Sequence, residues 1–534
     1  MNIFSTLLDR AERTPNGLFC RFVSRGRSTD VTNADIVRRA SGYAAAVRDR
    51  GVKPGDIVFI VLEHSPELYA SFIGCVLAGA APSFMSPLTP KQDPDIFRAG
   101  FAALLAREEP RLVIVSPTTA AVLPDDQPRL DIGEVEPRDA VERPSSAADD
   151  VAFLQHSSGT VGHKKGVMLT HAQVDRNARD YAGVIGLDER ATVVSWLPLY
   201  HDMGLITSFM APAIVGCPIV SIDPIEWVAR PTLLLEWLSC SERGYAWLPN
   251  FALQHILRTD RKRDWDLSKV EAIISCSEPC RAGAVEAFTA RYAGMGLNPA
   301  ALGASYAMAE TVFAITQTEM NEPPRAGRLP ATRGFVSSGK PLPGVVVEIR
   351  DDQGAPLDNG EMGEIWIQSP TLFSGYHLQP ERTRSRLHQG WYRTGDVGVI
   401  EADGNLFVIG RTDDLIITNG KNLVAHEIED MVSTLTGVVP GRVLAHGLFD
   451  AASGCTELVM LVESTAPEDH RTTLPATIRR TVYATCGVQP ASVTLLPPGF
   501  IVKSSSGKLA RKATWRKHQE LGEKVHADRI DQAG

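Results

Sequence analysis

The densest run of chemically useful residues is Ser157-Ser158-Gly159-Thr160-Val161-Gly162-His163-Lys164-Lys165-Gly166, which follows the apolar Val151-Ala152-Phe153-Leu154. Glycines let a backbone approach an anion closely, hydroxyls donate to phosphoryl oxygens, and lysine adds compact positive charge. By composition this is a phosphate loop. It is not the G-x-x-x-x-G-K-[ST] form, because Gly166 rather than Ser or Thr follows Lys165. A run of this kind standing alone is more often a plain surface loop, so the segments that follow it matter. Leu197-Pro198-Leu199-Tyr200-His201-Asp202-Met203-Gly204-Leu205 sets a titratable His between apolar walls, and Ser305-Tyr306-Ala307-Met308-Ala309-Glu310-Thr311 sets an aromatic face four residues ahead of a carboxylate. Trp391-Tyr392-Arg393-Thr394-Gly395-Asp396, Gly410-Arg411-Thr412-Asp413-Asp414-Leu415-Ile416 and Lys503-Ser504-Ser505-Ser506-Gly507-Lys508-Leu509 complete the series. Carboxylates can hold hydroxyls or a hard cation, and an ammonium can meet developing negative charge.

Placing these residues requires a large alternating scaffold. Short β-branched runs predict strands over 56–62, 111–116, 217–222 and 272–277, and helical spacing of apolar residues predicts helices over 67–78 and 231–239. Strand, helix, strand is the rhythm of largely parallel sheets. Beyond Pro341 the pattern changes to strands at 345–349, 363–368 and 406–409, with Asp351-Asp352-Gln353-Gly354 and Asp403-Gly404 as turn signals. A final mixed segment carries strands near 415–418, 442–446, 458–462 and 493–496, after the polar run Arg411-Thr412-Asp413-Asp414. The expected fold class is therefore α/β. A large N-terminal domain (1–411) of α/β sheets with a β-rich subdomain precedes a small α+β C-terminal domain (412–534). The Pro/Ser/Ala/Asp stretch 137–150 reads as an exposed connector.

Bulk properties narrow the function. A chain of 534 residues exceeds what one core accommodates, so more than one packed unit is expected. The formal charge of −9 leaves no strong positive field, which argues against nucleic-acid binding as the main role. The eight cysteines form no C-x-x-C pair and read as reduced thiols. No apolar stretch reaches the roughly 20 residues that span a bilayer, and the N-terminus lacks a cationic start followed by an apolar run. A cytoplasmic enzyme without a membrane span is the expectation; oligomeric state is left open.

In this order, the six segments resemble the adenylate-forming superfamily of acyl-CoA synthetases, peptide-synthetase adenylation domains and luciferases, from about residue 10 to about 517. Leu-Pro-Leu-Tyr-His-Asp-Met-Gly-Leu and Ala309-Glu310-Thr311 look most like its fatty acyl-AMP ligase branch. The resemblance implies an acid:thiol ligase using ATP and Mg²⁺. Lys508 is similar to the catalytic lysine of adenylation, and Glu310 resembles the carboxylate that holds Mg²⁺. His201 resembles the aromatic gate beside the acyl carboxylate. Ser157, Ser158, Gly159, Thr160, Gly162, Lys165 and Gly166 would take the phosphates. Tyr306, with Ser305, Ala307 and Ser277-Glu278-Pro279, would take adenine; Asp396, Arg411 and Val408 complete the nucleotide site. Asp413 falls at the family's hinge, about which a mobile small domain turns, and Gly420-Lys421-Asn422 where the thiol would pass. Trp196, Trp247, Leu248, Pro249, Asn250 and Phe251 lie where the family lines its acyl tunnel, without a cation to pair an amino-acid carboxylate, so an apolar acid is expected.

The sequence departs from the family pattern where Val161 replaces a hydroxyl residue and Lys164 replaces a proline; Ala307, Ala425 and Val502 are further departures. A hydrogen bond to a charged group contributes about 1.5–3 kcal/mol, so one lost donor is about ten- to a hundredfold in rate or affinity. Three alternatives accompany the complete ligase: a thiolation-only enzyme acting on a preformed acyl-AMP and CoA, a fatty acyl-AMP ligase loading an acyl carrier protein, and an inactive nucleotide-binding partner. The segment between the Ala-Glu motif and Ser338-Gly339-Lys340-Pro341-Leu342-Pro343-Gly344 is short, which admits CoA as acceptor; a carrier-protein phosphopantetheine presents the same thiol.

Overall fold

Val, Ile, Leu and Ala crowd strands whose residues are buried on both faces, as in Ile57–Val61, Leu112–Val115 and Gly244–Leu248. Continuous apolar runs of this kind suit parallel strands covered by helices on both sides. The computed structural model describes residues 2–89, 94–121, 123–124, 126–139, 146–156, 165–261, 264–418, 421–450, 455–503 and 509–531. By its internal contacts the chain forms two units, Met1–Thr394 with Gly398–Val408, and Gly395–Val397 with Ile409–Gly534.

In the first unit a nine-stranded sheet runs in the order Lys340–Pro341, Ala314–Gln317, Leu302–Ala307, Val270–Ser275, Gly244–Leu248, Thr192–Ser195, Ile219–Ile222, Leu18–Ser24, Arg27–Thr32. Its six central strands are parallel, and antiparallel pairs close both edges. A second, parallel sheet orders Ala81–Phe84, Ile57–Val61, Leu112–Val115 and Arg129–Asp131. Helices Asn33–Asp49 and Pro66–Leu77 pack so closely that a Cβ on Gly74 would lie 2.4 Å from Tyr43 Cβ; only glycine permits that approach. A small sheet joins Val151–His156, Gly166–Thr170 and Gly375–Tyr376, all antiparallel.

The strand expected over 217–222 starts at Ile219, because Gly216 ends the preceding helix in the left-handed region and Pro218 has no N–H to donate. The one expected over 272–277 runs over Val270–Ser275, since Ser277 turns the chain at φ +71°. Beyond Pro341, Val346–Arg350, Gly363–Gln368, Trp391–Ile400 and Leu387–His388 form a sheet, with Leu406–Arg411 also paired to Trp391–Ile400. Asp351 Oδ1 accepts from Gln353 N and Ala355 N to make the first turn.

The second unit has its own core, including Ile428, Val432, Val443, Met460, Ile478 and Val482. Hairpin Leu415–Thr418 and Lys421–Val424 leads into helix Ala425–Ser433. A sheet of Val438–Asp450, Cys455–Ser464 and Ser492–Leu496 packs with helix Leu474–Cys486, and helix Arg511–Asp531 follows. The architecture is α/β with a β-rich subdomain and an α+β C-terminal unit. Among the described residues no helix is long and apolar enough to cross a membrane.

Candidate functional site

The expected site residues of the first unit gather at one end of the nine-stranded sheet. Trp196 follows strand Thr192–Ser195, Pro249 and Asn250 follow Gly244–Leu248, Ser277-Glu278-Pro279 follows Val270–Ser275, and Ser305, Tyr306 and Ala307 end Leu302–Ala307. These are the carboxyl ends of neighbouring parallel strands, where open α/β sheets bind ligands. Two loops are laced together there. Glu278 Oε2 accepts from Phe251 N at 3.3 Å, and Asn250 Oδ1 from Arg281 N at 3.2 Å.

Glu310 lies in the short turn Ala309–Thr311. Val312 ends that turn at φ +70° with its side chain fully buried, a backbone state costly for a β-branched residue. Phe373 N donates to Glu310 O at 2.8 Å. The carboxylate itself is enclosed, and Oε1 accepts from Tyr376 Oη at 2.7 Å and from Lys165 Nζ at 3.3 Å. Tyr392 Oη stands 3.1 Å from Tyr376 Oη, and Lys165 Nζ sits 4.9 Å from the centre of the Tyr376 ring. Burial pushes the Glu310 carboxyl up, but Lys165, Tyr376 and Tyr392 overcome it and hold the group below the ordinary carboxylate value. The tyrosine hydroxyls move the opposite way, since burial and the adjacent carboxylate both disfavour phenolate. The cluster is thus an ionised carboxylate beside a lysine. It suits a hard cation that takes one protein carboxylate and completes its shell with phosphate oxygens. Among the described residues no group of three or more His, Cys, Asp and Glu is placed to hold a metal by itself.

His201 precedes helix Asp202–Leu205, which continues through a π turn, Ile206–Met210, into Ala211–Val215. Gly204 makes the bend possible: a Cβ there would meet Pro198 O at 2.2 Å. The His201 ring packs edge-on to Tyr200 at 4.7 Å. Trp196 stacks on Trp227 at 3.5 Å with planes 2° apart, and Phe251 lies 6.3 Å away. Trp247 is sealed in the core, donating from Nε1 to Tyr181 Oη at 2.8 Å. Tyr306 is also largely enclosed, in an apolar cluster with Ile315, Val347, Ile349, Ile365 and Ile367. Ser305 Oγ donates to Thr316 O, which occupies it in strand pairing. Val408 is half-buried against the same cluster as Tyr306.

In the second unit, Asp396 Oδ1 lies 3.2 Å from Arg411 Nε, and Thr412 Oγ1 donates to Gly395 O at 2.6 Å. The turn Thr412–Asp414 carries Asp413, and strand Lys421–Val424 carries Lys421 and Asn422. Arg511 pairs with Asp414 at 2.8 Å and with Glu429. Lys503 and Leu509 form an antiparallel bridge on either side of 504–508. Ser157, Ser158, Gly159, Thr160, Val161, Gly162 and Lys164, together with Gly420 and Lys508, lie outside the described residues. Sequence reasoning assigned no role to Tyr376, Tyr392 or Trp227. Tyr392 stood inside a quoted motif, but Tyr376 and Trp227 carried no spacing signal.

Residues 7–377 match the family described as AMP-binding enzyme. A long-chain-fatty-acid–AMP ligase, FadD26, of Mycobacterium marinum is 29% identical over 587 aligned residues, covering 98% of each chain. A putative fatty-acid–CoA ligase, fadD25, of Mycobacterium tuberculosis is 29% identical over 95% of each. Among solved structures, a fatty acyl-adenylate ligase from a study of the E. coli and L. pneumophila enzymes is 26% identical over 98% of both chains, with a TM-score of 0.86. McyG A-PCP complexed with phenylalanyl-adenylate gives 0.88 at 21% identity, over 100% of this chain and 84% of that one, a likeness of fold.

Proposed function

Because the chain belongs to the AMP-binding enzyme family, we propose that it is an acid:thiol ligase, joining an apolar carboxylic acid to AMP and passing the acyl group to a thiol. The observation that carries this reading is the ionised Glu310, held by Tyr376 and by Lys165, which immediately precedes strand Gly166–Thr170. In the proposed reaction the acid's carboxylate oxygen attacks the α-phosphorus of ATP and pyrophosphate leaves; the thiol then attacks the acyl carbon and AMP leaves. Glu310 would hold Mg²⁺, which neutralises phosphate charge when bound. Lys165 and the loop hydroxyls would receive the phosphates, and Lys508 would stabilise charge developing on the carboxylate and α-phosphate. Asp396 offers two acceptor oxygens for ribose hydroxyls, with Arg411 steadying it. Gly420, Lys421 and Asn422 are assigned to the thiol step, and Asp413 to the hinge between steps. Residues 1–411 would carry nucleotide and acid, and 412–534 the lysine of the mobile domain.

The apolar acid would enter past His201 toward Trp196, Pro249, Asn250 and Phe251. The sealed position of Trp247 favours a supporting role for it behind that wall. For the acceptor, the named relatives include both AMP ligases and a CoA ligase, so CoA and a carrier phosphopantetheine are both to be supplied.

A second reading rests on Val161, which removes one hydroxyl from the loop. In it the enzyme takes a preformed acyl-AMP and performs thiolation alone. The deciding experiment offers CoA or a carrier protein with apolar acids and MgATP in one set, and with synthetic acyl-adenylates in the other, and reads thioester by mass. Thioester in both sets supports the complete ligase. Thioester from adenylates alone supports the second reading, and none in either set refutes both.

A further inference from the structure

His156 is the last residue of Val151–His156 and Gly166 the first of Gly166–Thr170, and the two are registered partners across the antiparallel pair. They are the two stems between which the 157–165 segment runs. Beneath them lies Glu108, the last residue of helix Pro94–Glu108. Glu108 and His156 have fully buried side chains, with Glu108 Oε2 3.7 Å from His156 Nε2. Titratable groups are rarely placed so deep without partners, since burial disfavours their charged forms.

Ser83 is the ring's hydrogen-bonding neighbour. Ser83 Oγ donates to Leu154 O at 2.7 Å and also stands 2.7 Å from His156 Nδ1. One hydroxyl has one proton, so with that proton on Leu154 O the ring nitrogen must donate. The other nitrogen, Nε2, faces the carboxylate at 3.7 Å, beyond hydrogen-bond reach but close enough for ion pairing when the ring is protonated. Arg107 Nε donates to Glu108 Oε1 at 2.9 Å. Burial pushes the Glu108 carboxyl up, and His156 and Arg107 together bring it below its ordinary value.

The pair is braced against both stems. A Cβ on Gly166 would lie 3.1 Å from Glu108 Oε2 and 3.2 Å from His156 Nε2, so the Gly166 backbone rests directly on it. His377 N donates to Gly166 O at 2.8 Å, and His377 Nε2 is 3.3 Å from Glu108 O. The neighbouring residue, Tyr376, is the one that donates to Glu310. A continuous run of contacts therefore leads from the buried pair, through Gly166 and His377, to the carboxylate of the candidate site.

We infer that His156 and Glu108 are positioning residues that fix the stems of the 157–165 segment relative to Glu310, and so set the site's affinity for the β- and γ-phosphates of its nucleotide. This rests on the nucleotide reading given above. A pair acting on the outer phosphates affects ATP far more than AMP, whereas a pair that merely fills the core affects both or neither.

The test is calorimetric binding of Mg²⁺ with α,β-methylene-ATP, and separately of AMP, to the full chain and to His156→Phe, Glu108→Gln and Ser83→Ala. Glu108→Gln keeps shape and Ser83→Ala keeps both members of the pair, so these two carry the test where His156→Phe does not fold; melting temperature is read for each. Affinity for the ATP analogue is expected to fall about tenfold in Glu108→Gln and a few-fold in Ser83→Ala, with AMP within about twofold. Parallel losses for the two nucleotides, or no loss for the analogue in a folded Glu108→Gln protein, overturn the inference while leaving the ligase reading intact. Wild-type protein that binds neither nucleotide overturns the reading itself, and the inference with it.

Discussion

Replacing Tyr376 by Phe removes one hydroxyl from the carboxylate cluster and leaves the ring in place. That hydroxyl donates to Glu310 Oε1 at 2.7 Å and lies 3.1 Å from Tyr392 Oη and 3.4 Å from Lys165 Nζ. A hydrogen bond to a charged group contributes about 1.5–3 kcal/mol. Lys165 still faces Glu310 in the variant, so the stability loss is expected at the low end, about 1–1.5 kcal/mol. The kinetic loss should be larger. If the carboxylate must stand in one place to hold Mg²⁺ on the phosphates, losing the bond costs about ten- to a hundredfold in kcat/KM for adenylation. The pH dependence gives a separate readout. Glu310 is held below its ordinary value, so its contribution to stability is present above the unfolded carboxylate's pKa and lost as pH falls through the folded one. Without the Tyr376 hydroxyl the folded value rises, and the acid limb of adenylation moves to higher pH. Pyrophosphate release from about pH 4 to 8, beside thioester formation from preformed acyl-AMP, measures both effects. An unmoved acid limb, or equal losses in the two half-reactions, would refute a role for Tyr376 in holding an ionised Glu310.

Lys508→Ala is expected to abolish acyl-AMP formation and to spare acyl transfer from added adenylate; the two rates measured side by side decide it, and equal loss of both counts against the division of labour. Val161→Thr is expected to raise MgATP turnover by about ten- to a hundredfold, by restoring one hydroxyl donor to a charged phosphate; an unchanged rate makes the valine a tolerated variation. Arg511→Ala leaves Glu429 enclosed without its cation. Burial already pushes that carboxyl up to about 7 despite Arg511, so its contribution to stability is greatest below the ordinary carboxylate pKa and lost as pH rises through about 7. Removing the arginine should cost about 3–5 kcal/mol at pH 8 and less at pH 5, read as the shift in melting temperature at each pH.

The local parts of this molecule were legible because they depend on neighbours in sequence. Strand Gly363–Gln368 occupies the span its apolar run marked out, and the turn at 351–354 forms through Asp351's own side chain. Boundaries moved where a backbone constraint outweighed side-chain pattern: Pro218 delays one strand, and the positive φ of Ser277 ends another two residues early. Glu310 stood out because it lies in Ser305–Thr311, one of the six segments that carry the resemblance to the adenylate-forming superfamily. Its partners were hidden. Tyr376 lies 66 residues away in sequence and Lys165 lies 145 away, and neither distance leaves a periodicity.

Contacts closed by topology, rather than by spacing, account for most of what the sequence concealed. Glu108 and His156 carried no spacing signal: one ends helix Pro94–Glu108 and the other ends strand Val151–His156. Only the return of the chain past Gly166 and His377 brings them together. The same argument accounts for the tryptophans. Trp196 and Trp247 looked equivalent as apolar residues ahead of expected pocket positions, yet Trp247 points into the core toward Tyr181 while Trp196 stacks beyond the end of its strand on Trp227. Strand alternation explains Trp247, which lies within Gly244–Leu248, and the end of Thr192–Ser195 explains Trp196, which has left the sheet. Residue type thus marked the chemistry. Position relative to a strand's end decided which side chains could reach a ligand and which could only support those that do.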